Sequence, residues 1–98
     1  MSMKILVIKF GGTSLKNIDR IRNAASIINK EYKNFKLVVV LSAMAGVTND
    51  LQKLIDEVDY DNSPETDLAI TSGEQVSVAL LSMILNKMHI NSIPMLGW

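Results

Sequence analysis

The sequence predicts an α/β fold, a three-layer α/β/α sandwich built on a mainly parallel sheet. Two unbroken aliphatic runs, Ile5 to Ile8 and Leu37 to Leu41, read as strands buried on both faces. Each run ends in a loop of small residues, and each loop opens into a stretch of helical period. Buried strands alternating with amphipathic helices are the pattern of a parallel sheet with helices packed on its faces. A length of 98 residues gives room for one small domain, spanning 1–98.

The first strand is expected over Ile5–Lys9 and is broken by Gly11-Gly12-Thr13-Ser14. Asn17 is placed to cap a helix over about Asn17–Lys33. Within it Ile18, Ile21, Ala25, Ile28 and Tyr32 fall three or four apart and form one apolar stripe. The second strand, Leu37–Leu41, runs into Ser42-Ala43-Met44-Ala45-Gly46. Leu51, Leu54, Ile55 and Val58 then predict a helix over Asn49–Val58.

A polar turn follows at Asp59–Asn62. Ser63-Pro64-Glu65 supplies a cap, a proline at the first helical position and an acid in the first turn of a third helix. That helix reaches Met88, with a break or kink expected at Thr71-Ser72-Gly73, because an interior glycine costs about 1 kcal/mol against alanine. A third strand is expected over Ser92–Leu96.

Composition narrows the function. Ten basic residues balance ten acidic ones, so net charge gives no reason to expect nucleic acid or an anionic membrane as partner. The absence of cysteine excludes disulfides and thiolate metal sites, and is compatible with a reducing cytoplasm. No cleavable signal is legible at the start, where Lys9-Phe10-Gly11-Gly12 follows the apolar run instead of a small-residue cleavage site. The longest apolar run, Leu37 to Leu41, is far short of the roughly 20 residues of a bilayer span. A soluble, cytoplasmic protein is expected.

Three segments could carry chemistry. Lys9-Phe10-Gly11-Gly12-Thr13-Ser14 lies between strand and helix, where two glycines let backbone N–H groups approach an anion and the helix start adds a favourable dipole. Lys9 adds a full charge suited to nucleotide phosphates. The order of residues fits neither a Walker A loop nor a G-x-G-x-x-G fingerprint. A plain glycine turn beside a surface lysine would look the same. In Ser42-Ala43-Met44-Ala45-Gly46-Val47-Thr48-Asn49, the donors Ser42, Thr48 and Asn49 suit carboxylate or phosphate oxygens, though Ser and Thr before a helix are also ordinary caps. In Thr71-Ser72-Gly73-Glu74-Gln75, Glu74 stands in apolar company and calls for a cationic partner. A substrate ammonium, Lys9 or an arginine would each serve.

Taken together and in order, KFGGTS, LSAMAGVTN and TSGEQ resemble the opening of the aspartokinases, members of the amino-acid kinase superfamily. The resemblance runs from Lys4 to Trp98 and corresponds to the first quarter of a typical member. It implies the N-terminal part of the amino-acid kinase catalytic domain, without the regulatory C-terminal domains. The implied activity is ATP-dependent phosphorylation of the L-aspartate β-carboxylate, with ATP and Mg2+ as substrate and ion.

By the same resemblance, Lys9, Phe10, Gly11 and Gly12 match the ATP phosphate-binding stretch, with Lys9 stabilising the transferred phosphoryl group. Ser42 matches a serine near the phosphates and the acceptor carboxylate, Thr48 an aspartate-contacting threonine, and Glu74 the acid that holds the substrate α-ammonium. Such roles suit phosphoryl transfer, which rests on positioning and charge neutralisation. The complete enzyme is expected to be a homo-oligomer. The family's later glycine-rich loop, its adenine and ribose contacts and its carboxylate-binding arginine are not in these residues.

The chain is therefore expected to be the front of a working kinase, inactive alone, or else a non-catalytic remnant or assembly partner. A sister amino-acid kinase is the remaining alternative. His89 is read as a lone histidine near a helix end with no site role, and Met44, Met83, Met88 and Met95 as core filling.

Overall fold

Two parallel strands, β1 (Ile5–Phe10) and β2 (Lys36–Leu41), pair in register from Ile5 opposite Lys36 to Phe10 opposite Leu41. The computed structural model that shows this describes residues 3–58 and 64–95. The ladder continues at both ends. Lys36 N–H donates to the Lys4 carbonyl at 2.9 Å, and Ser42 N–H to the Phe10 carbonyl at 3.2 Å.

Between the strands lie a 3-10 turn, Gly12–Leu15, and helix α1, Ile18–Glu31. Asn17 caps α1 as its sequence position implies, its Oδ1 accepting the Arg20 N–H at 2.9 Å. Ile21, Ala24, Ala25 and Ile28 form the buried stripe of α1. They join Phe10, Leu15, Leu41, Leu81, Leu85 and Ile90 in a single core. Helix α2 (Val47–Val58) packs on α3 (Pro64–Lys87) and buries none of its residues fully.

Among the described residues the strands are covered on one face only, which corrects the expectation of burial on both. Phe10 and Leu41 are buried, with Leu6, Ile8, Leu37 and Val39 half-buried on the same face. The alternate residues Ile5, Val7, Lys9, Lys36, Val38 and Val40 are exposed, Ile5 at 67% and Val38 at 50%. The cause is that α1 and α3 share the core side while α2 sits on α3. The described residues thus build two layers of an α/β sandwich on a parallel sheet.

Helix α3 runs unbroken through Thr71-Ser72-Gly73, a second correction. Its hydroxyls bond back to carbonyls of the preceding turn, Thr71 Oγ1 to Asp67 at 2.7 Å and Ser72 Oγ to Ala69 at 2.6 Å, so both are satisfied within the helix. By length and composition α3 could cross a bilayer. Its contacts with α1, α2 and β2 give another cause for its apolar character, since a helix packed on several sides is apolar on several sides.

The helix ends in a Schellman turn. Ile90 N–H donates to the Leu85 carbonyl at 2.9 Å and His89 N–H to Asn86 at 3.0 Å, with His89 left-handed at φ 63°.

The expected third strand over Ser92–Leu96 is not formed at residues 92–95, a third correction; Leu96 lies outside the described residues. Ser92 Oγ is hydrogen-bonded to Ser82 Oγ at 2.7 Å, which ties this segment to α3. Pro94 brings no N–H to a ladder. The polar turn at Asp59–Asn62 and the cap at Ser63 also lie outside the described residues.

Candidate functional site

Both small-residue loops leave the carboxyl ends of parallel strands, where ligands of such sheets gather. β1 ends at Phe10, Gly11 continues extended at φ −87° and ψ 177°, and Gly12 opens the 3-10 turn. β2 ends at Leu41, and Ser42 is held beside β1 by its N–H bond to Phe10. The Ser42 hydroxyl, half-buried, donates to the Ala43 carbonyl at 3.3 Å. Gly46 turns the chain at φ 88°, and its carbonyl accepts the Asp50 N–H at 3.1 Å, which starts α2. Because α2 begins at Val47, Thr48 and Asn49 stand inside its first turn. The capping role open to Thr48 in the sequence is therefore not the one it has.

The three motif segments meet at one residue, Ala43. A Cβ placed on Gly12 would lie 3.6 Å from the Ala43 carbonyl oxygen and 3.8 Å from Ala45 Cα. From the opposite side, a Cβ on Gly73 would stand 3.0 Å from Ala43 Cβ, 3.0 Å from Val47 Cγ1 and 3.3 Å from Leu51 Cδ1. The second loop is thus in direct contact with the glycine loop through one face of Ala43 and with the middle of α3 through the other. Gly12, Ser42, Thr48 and Glu74 each lie within one residue of that contact or in it.

Thr48 and Glu74 are exposed, and their side chains bond to no described residue. Lys9 is placed differently. It is exposed on the face of β1 that also carries Ile5 and Val7, opposite the core, and has no ion pair among the described residues. Phe10 faces the core, at 9% exposure, so its side chain belongs to the fold and only its backbone borders the loop.

A cavity of about 610 Å³ lies elsewhere. It is an apolar groove between β2, α3 and residues 90–95, lined among others by Leu37, Val39, Val78, Leu85 and Ile93, and by none of the motif residues Lys9, Gly11, Gly12, Ser42, Thr48 or Glu74. It is open core along the flank of β2, and we assign it no ligand. Sequence reasoning overlooked Gly73, which it took for a helix breaker. A signal was present: Ser77 stands four residues on, so two small residues share one face of a long helical run, as at a close helix contact.

Known proteins resemble this chain in sequence and in fold. The model of the amino acid kinase family matches residues 4–97. An aspartokinase of Rickettsia felis is 46% identical over 101 residues, covering 98% of this chain and 25% of its own length. The crystal structure of an aspartate kinase from Synechocystis superposes with a TM-score of 0.81 at 38% identity, over 86% of this chain and 15% of that one. E. coli aspartokinase III in complex with lysine and aspartate gives a TM-score of 0.70 at 25% identity, over 92% of this chain and 30% of that one. The chain spans about a quarter of the length of the curated relatives it matches. A parallel β-loop-α-β-loop-α unit with its two loops in contact, matched from residue 4 to residue 97, places this chain in the amino acid kinase family.

Proposed function

We propose that the chain is the N-terminal part of an aspartate kinase catalytic domain. The reaction is transfer of the γ-phosphoryl group of ATP to the β-carboxylate of L-aspartate, giving ADP and 4-phospho-L-aspartate. The observation that carries the reading is the meeting of the glycine loop, the second loop and the Gly73-Glu74 turn at Ala43. The bound aspartate of the E. coli relative and the aspartokinase relatives support the choice of substrate.

In this reading a carboxylate oxygen of aspartate attacks the γ-phosphorus, and the bond to the β,γ-bridging oxygen breaks with its electron pair leaving on ADP. No proton need be taken from an ionised carboxylate, so the protein's task is to hold two anions together. The backbone at Phe10, Gly11 and Gly12 lines the phosphates, and Lys9 and Ser42 neutralise charge on the transferred group. Thr48 contacts aspartate and Glu74 holds its α-ammonium. Magnesium enters this scheme with ATP, as part of the substrate.

The product would feed lysine, threonine, methionine or diaminopimelate synthesis in the cytoplasm, and the complete enzyme would be a homo-oligomer. A second reading, an assembly partner without catalysis, draws on the exposed face of Ile5, Val7, Val38 and Val40. The test joins residues 1–98 to the remainder of the Rickettsia felis aspartokinase, replacing the matched quarter. Aspartate-dependent acyl phosphate is then trapped with hydroxylamine. The chimera is expected to be active and residues 1–98 alone silent. A silent chimera beside an active parent enzyme would overturn the kinase reading and favour the second.

A further inference from the structure

We propose that Gly73 is a positioning residue for the aspartate side of the site. The side chain it lacks sets the spacing between Glu74 and the segment carrying Ser42 and Thr48. The inference rests on the kinase reading above and adds to it a residue with no direct substrate contact. Three residues close on Gly73: Ala43, Val47 and Leu51. Ala43 follows Ser42, Val47 precedes Thr48, and Glu74 follows Gly73 itself. The one contact therefore fixes the relative placement of all three proposed aspartate-side groups.

Gly73 is buried in the interior of α3, where glycine is the least favourable residue after proline. Space explains its presence. A Cβ there would meet two atoms at 3.0 Å and one at 3.3 Å, inside the roughly 3.5–4.0 Å of an optimal carbon contact. Val47 and Leu51 can change rotamer, but Ala43 Cβ is fixed to its backbone and cannot turn aside. Ser77 and Leu81, one and two turns further on, are buried on the same side of α3, so the helix is held there as well. A methyl at residue 73 must therefore push the Glu74 turn away from the second loop by several tenths of an ångström. At Gly12 the same methyl would find ordinary contacts of 3.6 Å and beyond. The constraint belongs to the aspartate side and not to the glycine loop.

The test uses the chimera described above. Gly73→Ala is expected to raise KM for aspartate roughly tenfold, on the scale at which sub-ångström misplacement acts, with KM for ATP within about twofold. Adding Ala43→Gly to Gly73→Ala removes one of the opposing methyls and is expected to return most of the aspartate affinity. A merely structural role would lower the amount of active enzyme and leave both KM values unchanged, and that result would overturn the proposal. Equal rises in the two KM values would overturn it as well. If Gly73→Ala does not fold, Ala43→Gly alone loosens the same contact, and an unchanged KM for aspartate there would count against the proposal. Glu74→Ala measured alongside separates the two levels. An effect of Glu74→Ala without one of Gly73→Ala sinks the positioning role alone, whereas no effect of Glu74→Ala sinks the reading on which it rests.

Discussion

Replacing Gly46 and Gly11 by alanine isolates the energy of one backbone angle. Neither glycine has any heavy atom within 4 Å of the place its Cβ would occupy. They differ in conformation: Gly46 has φ 88° and Gly11 φ −87°. Alanine at either position removes unfolded-state freedom, which stabilises by about 0.4–1 kcal/mol. At Gly46 it also forces an L-residue into the left-handed region, at about 1–2 kcal/mol. Gly11→Ala should therefore be neutral to mildly stabilising and Gly46→Ala destabilising, with about 1–2 kcal/mol between them. For a urea slope of about 1.5 kcal/mol/M the unfolding midpoints should differ by roughly 1 M. Far-UV circular dichroism of the 98-residue chain through a urea series reads this directly. Coincident midpoints would refute the turn at Gly46, and with it the start of α2 that places Thr48.

His89 offers the converse, since a non-glycine residue holds φ 63° in the Schellman turn; His89→Gly should raise stability by about 0.5–1 kcal/mol in the same assay, and a loss would contradict the turn. In the active chimera, Lys9→Ala is expected to lower kcat by tenfold or more, about 1.4 kcal/mol, while KM for aspartate stays within about threefold, because charge is most concentrated during transfer. Glu74→Ala should do the opposite, raising KM for aspartate and sparing kcat; steady-state kinetics with the pattern reversed would count against both roles. Val7 and Val38 are register partners on the uncovered sheet face, so Val7→Thr with Val38→Thr should reduce self-association of the chain in sedimentation velocity, while Met83→Gln on α3, also exposed, should not. Equal effects of the two changes would show that the sheet face is not what associates.

How far the fold was legible depended on whether local signals decided it. Ile5–Ile8 and Leu37–Leu41 announced strands because β-branched runs leave few alternatives, and Asn17 announced a helix start because its side chain satisfies a specific N–H. The covering of the sheet was not local. An aliphatic run does not say which elements will lie on each face, and here α1 and α3 take the same one, leaving Ile5 and Val38 open. The strand expected at Ser92–Leu96 failed for a similar reason. Ile93 and Met95 have strand-like character, but the hydrogen bond between Ser92 and Ser82 holds the segment to α3. For the site, the motif residues were legible from their spacing, and their roles came by resemblance. Their meeting point was not legible, because Ala43 carries no chemistry of its own.

Gly73 shows how a local rule and a tertiary requirement can oppose each other at a close packing contact. Helix propensity alone places a break there, since glycine adds freedom to the unfolded chain and no contacts to the helix. The chain instead keeps the helix whole by other means. Thr71 and Ser72 turn their hydroxyls back onto the Asp67 and Ala69 carbonyls, and Leu81 and Leu85 anchor the following turns in the core. Length and burial supply the stability that the glycine withholds. What the glycine supplies is a close approach, with Ala43 and Val47 near enough that an added methyl would force them to shift by a few tenths of an ångström. Gly12 meets the carbonyl oxygen of Ala43 and Gly73 meets its methyl, so the distances to the proposed phosphate loop and to the proposed ammonium site are set by different atoms of one residue. A reaction between two bound anions depends on those two distances together. Enlarging the side chain at residue 43 or at residue 73 should therefore disturb the aspartate side first, and leave the contact of Gly12 with the Ala43 carbonyl in place.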